Sequence, residues 1–405
     1  MAFWKKGIIM LASGWIVIWI SRMMFTPIYP VLSSFFNGAT STQLGLISSF
    51  YFLGYVIMQI PSGLLVDRLG MKAIVVPGFL VFSLGTVAIS LSTGLPALYA
   101  GSFFSGLGCG TFFGIAYTIT NVYVPAKRRS LATAIVNSGT AIGSGIGLSA
   151  SSCLVGTGIL PWQALATATA LAAAVMAVVY LLLMPGRNSA ASPVALERKL
   201  NSLADERTRS GFFSAPMLAA YILYFGTLYL YYLIGTWLPD YLGEVRGFDS
   251  ALTGIVSSLV FFAGIPGALA CSRLADRKPQ RKIPLIIALE LIASIGLVIV
   301  LHATSLSMII VGILLYGLFG KLAVEPILIS WLGRYISPWS TATALGILNT
   351  FGMSGSVIAP LLTGALNDTT GIPETGYYVA VAIVLVCTAV FAVIVSRRDI
   401  SPQNP

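Results

Sequence analysis

Long apolar runs dominate the pattern of this chain, and short charged or glycine- and proline-containing segments separate them. A helix needs about 20 apolar residues to cross a bilayer. The runs are too long and continuous for barrel strands, which alternate apolar and polar positions. The pattern therefore predicts twelve membrane-spanning helices at 7–34, 42–66, 73–93, 95–124, 131–157, 160–184, 215–241, 251–274, 283–303, 306–335, 340–365 and 374–396.

Composition points to lipid as the main solvent of the chain. Of its 405 residues, 57% are hydrophobic and only 9% are charged, whereas soluble proteins carry about 25% charged residues. So few charges cannot cover a surface that faces water. We therefore expect an all-α integral membrane protein.

The residues needed for catalysis or metal binding are scarce. Four cysteines lie inside apolar runs without metal-like or disulfide-like spacing, and His302 is the sole histidine. The spans contain no nucleophile–base set, and the glycine-rich stretches 106–110 and 139–147 lie within spans, as expected for close helix packing. We predict neither an enzyme nor a bound cofactor.

The distribution of Lys and Arg predicts the orientation in the membrane. With the N-terminus in the cytoplasm, 20 of the 23 basic residues fall on that side, Arg246 falls outside, and Arg22 and Lys321 lie within spans. Because the basic residues cluster in short loops between spans, a nucleic-acid partner is not expected. The pattern predicts cytoplasmic termini in a bacterial-type inner membrane.

The two halves of the chain repeat each other at an offset of 209 or 210 residues. Gly45-Leu-Ile-Ser-Ser matches Gly254-Ile-Val-Ser-Ser, and Leu65-Val-Asp-Arg matches Leu274-Ala-Asp-Arg. Six spans per repeat make these parallel repeats, with a solute site expected between the halves near the midplane. We predict two pseudo-symmetric six-helix bundles, 1–186 and 215–405, a cytoplasmic linker at 187–214, and a monomer.

A glycine-rich charged motif follows the second span, Gly63-Leu-Leu-Val-Asp-Arg-Leu-Gly-Met-Lys72. Gly63 and Gly70 suit a short turn with close backbone approach, and Asp67 suits capping of a helix or pairing with a basic residue. We interpret the motif as a gating element. Its predicted members are Gly63, Asp67, Arg68, Gly70 and Lys72, with a degenerate second copy at Asp276 and Arg277.

This motif resembles the G-x-L-x-D-R-x-G-x-K signature of the major facilitator superfamily. The resemblance covers the whole chain: twelve spans, two halves, a central loop and the second copy of the motif. It implies transport by rocker-switch alternating access, with the first and tenth spans lining the cavity.

Several further segments are similar to the anion:cation symporter branch of that family. They include Gln43–Tyr55, Gln59–Gly63, Trp237–Tyr241 and Asn349–Gly352. The resemblance implies an organic anion such as a sugar acid, a uronate or an aromatic carboxylate, held by the first-span Arg22. Unlike many proton symporters, this chain has no acidic residue in the predicted fourth span.

Four charged residues fall inside the predicted spans: Arg22, Glu290, Lys321 and Glu325. An ion at the bilayer centre costs roughly 2.5–3.5 kcal/mol, so each needs a partner, a wet cavity or a function. Arg22 shares a helical face with Phe25 and Tyr29, and we interpret it as a bidentate carboxylate clamp. The alternative is an internal salt bridge with Glu325.

Three interpretations of the tenth-span pair stay open. Lys321 and Glu325 can neutralise each other, Lys321 can be a second cation for the solute, or Glu325 can take up the coupling proton. Glu290 is expected to pair with the basic cluster Arg273–Lys282 or to snorkel towards it. The remaining predicted solute-binding residues are Tyr29, Tyr55, Tyr231, Trp331 and Asn349, with Tyr51 as a lesser candidate.

Secondary active uptake of a small organic anion, coupled to protons, is the predicted function. An anion exchanger or a proton-coupled efflux transporter is the alternative within the same class. A transport-dead membrane sensor is the alternative of a different class, although no large soluble signalling domain accompanies the spans. The expected partners are the anionic solute, protons and membrane lipid.

Overall fold

A computed structural model describes residues 3–116, 129–184, 212–333, 335 and 341–399. The predicted linker at 187–214 lies mostly outside the described residues, and the side chains of Asp67 and Arg68 lie outside them as well. Within the described ranges the regular structure is helical throughout. The helices are α1 Phe3–Met23, α2 Tyr29–Phe35, α3 Ser41–Leu69, α4 Met71–Ser90, α5 Leu95–Gly110, α6 Arg129–Ser151, α7 Trp162–Leu183, α8 Ala215–Asp240, α9 Ser250–Arg277, α10 Lys282–His302, α11 Leu306–Phe319, α12 Lys321–Leu332, α13 Thr341–Thr370 and α14 Glu374–Asp399.

The helices follow the predicted spans. In the described part of the chain, 11 helical segments are long and apolar enough to cross a membrane. The 23-residue α6, which continues into a short π-helix at Ser152–Gly156, lies where the fifth span was predicted. The all-α prediction is confirmed.

The first and tenth spans differ from the prediction because each contains a break. In the first span, α1 ends at Met23 and a 3₁₀ turn at Thr26–Ile28 precedes α2. Pro27 at the start of that turn has no N–H to donate to a continuing helix. In the tenth span Gly320, with φ −77° and ψ −148°, separates α11 from α12, so that Lys321 begins a new helix.

Contacts divide the chain into two compact units. Unit 1 comprises Met1–Val194, Gly235–Ser258 and Pro360–Thr369. Unit 2 comprises Ala195–Ile234, Leu259–Ala359 and Thr370–Pro405. Each unit therefore contains most of one predicted half, and unit 1 also includes one end each of α8, α9 and α13.

In unit 1, α1 packs along α6 through glycines. A Cβ added to Gly139, Gly143 or Gly147 would lie 2.5–2.9 Å from a backbone carbonyl oxygen of α1. Real Cβ atoms essentially never approach backbone so closely, and each glycine therefore permits the close contact between the two helices. This geometry confirms that the 139–147 stretch is a packing surface.

Both units contain the same reciprocal glycine contact. In unit 1, a Cβ on Gly85 of α4 would lie 2.9 Å from the Gly101 carbonyl oxygen of α5. A Cβ on Gly101 would lie 2.9 Å from the Gly85 carbonyl oxygen. In unit 2, Gly296 of α10 and Gly312 of α11 oppose each other in the same way, at 2.8 and 2.6 Å. The two pairs are offset by 211 residues (296 − 85 and 312 − 101), close to the offset of the sequence repeat.

The charged motif after the second span is organised differently from its prediction. Gly70 ends α3 with φ +89° and donates its N–H to the Val66 carbonyl at 2.9 Å, as a turn glycine does. Gly63, however, lies inside α3, which continues to Leu69. The prediction of a turn is therefore confirmed at Gly70 and wrong at Gly63.

Candidate functional site

An aromatic cage surrounds Arg22 in unit 1. The side chain lies in the last turn of α1 and is 6% exposed. Its guanidinium carbon lies 4.1 Å from the ring centroid of Tyr55 and 4.6 Å from that of Trp19. The centroids of Tyr51 and Phe52 are each 5.5 Å away. We call these four rings the Arg22 cage.

The cage attracts the guanidinium without cancelling its charge. Aromatic faces are negative, and a guanidinium within about 6 Å of them gains about 0.5–2 kcal/mol. The Tyr51 and Tyr55 hydroxyls also interact with Arg22. Rings and hydroxyls are neutral, so the cage holds the buried guanidinium through cation–π attraction and polar contacts.

Close packing of α3 against α5 fixes the two tyrosines of the cage. A Cβ on Gly106 would overlap the Tyr51 carbonyl oxygen, and a Cβ on Gly110 would lie 2.5 Å from the Tyr55 carbonyl oxygen. The Tyr51 hydroxyl also donates to Cys109 Sγ at 3.0 Å. Glycines on α5 therefore set the positions of the rings that hold Arg22.

The predicted face of Arg22, Phe25 and Tyr29 is wrong, because α1 ends at Met23 and the 3₁₀ turn changes the direction of the chain. The Phe25 ring packs edge-on against Trp162 with centroids 6.5 Å apart. Tyr29 is fully buried, hydrogen-bonds Ser48 at 3.3 Å and packs edge-on against Trp237 at 5.3 Å.

An ion pair in unit 2 confirms the predicted proximity of Lys321 and Glu325. Lys321 Nζ lies 2.8 Å from Glu325 Oε2, one turn apart on α12. The Lys321 ammonium also lies 5.3 Å from the ring centroid of Tyr231. The Tyr224 hydroxyl donates to Glu325 Oε1. Two tyrosines of α8 therefore contact this ion pair, one at its cation and one at its carboxylate.

Glu290 is placed differently from the prediction. It is 1% exposed in the middle of α10, and its carboxyl lies within hydrogen-bond distance of the Thr227 hydroxyl of α8. It therefore neither snorkels nor pairs with the basic cluster at Arg273–Lys282. Lys282, the buried cation of that cluster, donates instead to Ser330 Oγ at 2.6 Å.

The other predicted residues have less specific surroundings. Trp331 is 1% exposed and packs against Tyr335 and Phe391, with centroids 4.9 and 5.3 Å away. Asn349 is half-buried on α13. Of the second motif copy, Asp276 and Arg277 are exposed at the end of α9, and Lys72 of the first copy is half-buried.

A carboxylate from α13 caps α3 within unit 1. Asp368 accepts the backbone N–H groups of Ser41 and Thr42 at 2.9 and 2.8 Å, and the Thr42 hydroxyl also donates to it. Negative charge at a helix N-terminus is stabilising. Nearby, the Trp237 indole N–H donates to the Pro360 carbonyl at 3.1 Å.

Four of the contacting residues were not predicted from the sequence: Trp19, Phe52, Tyr224 and Thr227. Trp19 lies three residues before Arg22, and Tyr224 lies seven before Tyr231, so helical spacing could have pointed to both. Phe52 offered no comparable signal, because its contact with Arg22 depends on how α3 packs against α1.

Comparisons with known proteins agree with this architecture. The chain is 24% identical over 383 residues to an assigned tartrate transporter of Agrobacterium vitis, a match covering 91% of this chain and 87% of the relative. It is 26% identical over 377 residues to a quinolone resistance transporter of Acinetobacter baumannii, covering 84% and 82%.

The fold also matches a solved structure. The crystal structure of a bacterial homologue of the human lysosomal transporter Spinster, in an inward-facing and occupied conformation, superimposes with a TM-score of 0.76. That match covers 97% of each chain at 15% identity, so it bears on the fold alone. The sequence profile of the Major Facilitator Superfamily matches residues 11–336. The chain is therefore an integral membrane protein that belongs to the Major Facilitator Superfamily, and it is a transporter and not an enzyme.

Proposed function

We propose that the chain is a secondary active transporter that takes up a small organic anion, a carboxylate or a sugar acid, by alternating access. Protons supply the driving force in this proposal. The two predicted bundles, 1–186 and 215–405, rock against each other around the bound solute. The protein acts as a monomer in a bacterial-type inner membrane, with both termini in the cytoplasm and the 187–214 linker on the same side.

The Arg22 cage is the observation that carries this proposal. A cation that is 6% exposed within a membrane span is energetically costly and needs a partner, a water-filled cavity or a function. We assign Arg22 a function. Guanidinium groups bind carboxylates bidentately, and aromatic faces hold the guanidinium in a fixed plane. The cage therefore suits the recognition of one carboxylate. The assignment of a relative as a tartrate transporter agrees with an anionic solute.

The pair of Lys321 and Glu325 is proposed as the coupling element. Neutralisation of Glu325 by a proton would remove the partner of Lys321 and leave the ammonium available to a second anionic group. Deprotonation would restore the ion pair. Binding of the proton and binding of the anion would then favour each other, as symport requires.

Transport in proteoliposomes tests the proposal. Purified protein would be reconstituted, and radiolabelled tartrate and a panel of sugar acids would be offered with an imposed proton gradient, acidic outside. The proposal predicts accumulation above the external concentration, which a protonophore abolishes. Equilibration without accumulation would exclude proton symport, and the absence of any flux of the panel would exclude uptake of these anions.

Efflux is the second candidate, favoured by the similarity to a quinolone resistance transporter. The same liposomes distinguish the two directions of coupling. A proton antiporter preloaded with labelled solute would expel it when the outside is made acidic, whereas a symporter would retain or accumulate it. Expulsion of a preloaded quinolone under that gradient would replace the uptake proposal.

A further inference from the structure

The buried carboxyl of Glu290 lies in the core of unit 2, apart from the pair of Lys321 and Glu325. Glu290 is 1% exposed, and Thr227 on α8 is its hydrogen-bond partner. Thr227 lies three residues after Tyr224, the donor to Glu325, and four before Tyr231, the ring beside Lys321. One helix therefore contacts both Glu290 and Glu325.

The hydroxyl of Thr227 has two oxygen neighbours but only one proton. Its Oγ1 lies 3.0 Å from the Leu223 carbonyl oxygen and also within hydrogen-bond distance of Glu290 Oε1. A carbonyl can only accept, and an ionised carboxylate can only accept. With an ionised Glu290, the single hydroxyl hydrogen has to be shared between the two acceptors in a bifurcated bond. With a proton on Glu290, the carboxyl donates to Thr227 while Thr227 donates fully to Leu223.

The surroundings of Glu290 also disfavour its charged form. Among the residues that the structure describes, no basic side chain forms an ion pair with it. The titratable groups that face it are the Tyr316 hydroxyl from α11 and the Cys387 thiol from α14. On the neighbouring α12, Lys321 and Glu325 are paired with each other. An uncompensated buried carboxylate costs several kcal/mol.

The repeat shows that this core position does not require a carboxyl group. Position 290 corresponds to position 79 at the offset of 211 residues that relates the reciprocal glycines of the same helices (290 − 211 = 79). Phe79 is fully buried and packs against Phe82, Phe112 and Tyr180. An apolar ring fills this site in one unit, so the polar pair in the other is a departure from the shared scaffold.

We infer that Glu290 is a proton-binding site distinct from Glu325: in this conformation it holds a proton that it donates to the Thr227 hydroxyl. Loss of that proton would leave a buried carboxylate competing with the Leu223 carbonyl for one hydroxyl hydrogen. Release therefore requires a movement of α8 relative to α10. The same movement would alter the contacts of Tyr224 and Tyr231, which lie on the same helix.

Infrared spectroscopy of the purified full chain at neutral pH, without solute, tests this inference. The spectrum of each variant is subtracted from that of the wild type. A buried protonated carboxyl gives a carbonyl band above the amide region that shifts in heavy water. The inference predicts such a band in the wild type, its loss in Glu290→Gln, and its retention in Glu325→Gln and in Glu244→Gln, which alters an exposed carboxyl. A wild-type band that Glu290→Gln leaves unchanged in intensity, or the absence of any such band from the wild type, would overturn it.

A second variant covers the case in which Glu290→Gln does not fold. Thr227→Val keeps the branched shape and removes the hydroxyl, so the Glu290 band should move to the higher frequency of a carboxyl group without that acceptor. An unchanged frequency would contradict the proposed bond. Because the spectra are recorded without solute or gradient, the result is independent of whether the transport proposal stands.

Discussion

The Arg22 guanidinium carbon lies 4.1 Å from the centroid of the Tyr55 ring, across the contact between α1 and α3. The arginine is a charge in the last turn of one helix, and the ring belongs to its neighbour. The proposed binding of an anion to Arg22 would therefore depend on a contact between two helices. Variants of the ring and of its supports should change affinity without changing the charge.

Replacement of Tyr55 should separate the roles of its ring and its hydroxyl. Tyr55→Leu removes the aromatic face, and a loss of about 0.5–2 kcal/mol of cation–π interaction predicts roughly 2- to 30-fold weaker anion binding. Tyr55→Phe keeps the face and should stay within about threefold of the wild type. Equilibrium binding of the transported anion is measured for both variants. Equal affinities of Tyr55→Leu and the wild type would refute a role for the ring.

Packing of α5 against α3 should matter at Gly110 and not at Gly114. A methyl group on Gly110 would press on the Tyr55 carbonyl oxygen at 2.5 Å, whereas a Cβ on Gly114 would meet nothing within 4 Å. Gly110→Ala should lower stability by about 1–3 kcal/mol through overpacking and weaken anion binding, and Gly114→Ala should leave both unchanged. Thermal unfolding and binding titrations compare the two variants, and identical behaviour would argue against the packing explanation.

Tyr224 should support coupling through Glu325. Tyr224→Phe removes a hydrogen bond to a charged group, worth about 1.5–3 kcal/mol, and should reduce proton-driven accumulation while solute counterflow stays within about twofold. Tyr221→Phe is the matched control, because the Tyr221 hydroxyl donates to the Phe212 carbonyl at 3.0 Å. Equal accumulation by both variants would remove Tyr224 from the coupling proposal.

The cap that Asp368 forms on α3 should protect the first amides of that helix. Asp368→Ala removes the acceptor of the Ser41 and Thr42 N–H groups, so hydrogen exchange of these amides should accelerate at least about tenfold, as expected for the loss of more than about 1.4 kcal/mol. Asp249→Ala is the control, because Asp249 accepts from the Leu252 N–H of its own helix at 2.8 Å. If Asp368→Ala leaves the exchange rates of the Ser41 and Thr42 amides unchanged, the cap does not protect them.

Much of the fold could be predicted from hydrophobic run length, because a lipid environment forces each span to satisfy its own backbone hydrogen bonds. The breaks were harder to foresee. Pro27 and Gly320 each interrupt a span without shortening its apolar run, so the run alone does not reveal that Lys321 begins a helix. The paired spacing of Lys321 and Glu325 was visible in sequence because it is local to one turn.

The candidate site was predictable only in part, for a related reason. Charges inside apolar runs identified Arg22, Lys321, Glu325 and Glu290. Their partners come from other helices: the Tyr51 and Phe52 rings from α3, and the Thr227 hydroxyl from α8. Which residues face across a helix contact depends on packing angle and rotation, and sequence spacing alone does not supply these.

Titration of the purified protein with the transported anion, comparing wild type, Arg22→Lys and Arg22→Gln by calorimetry, tests the central claim most directly. Gln removes the charge at similar length, and Lys keeps the charge but loses the planar fork. A charge-assisted contact worth about 1.5–3 kcal/mol predicts roughly 10- to 150-fold weaker binding for Arg22→Gln, with Arg22→Lys in between. An affinity of folded Arg22→Gln within about twofold of the wild type would contradict the assignment of Arg22 as the anion-binding residue.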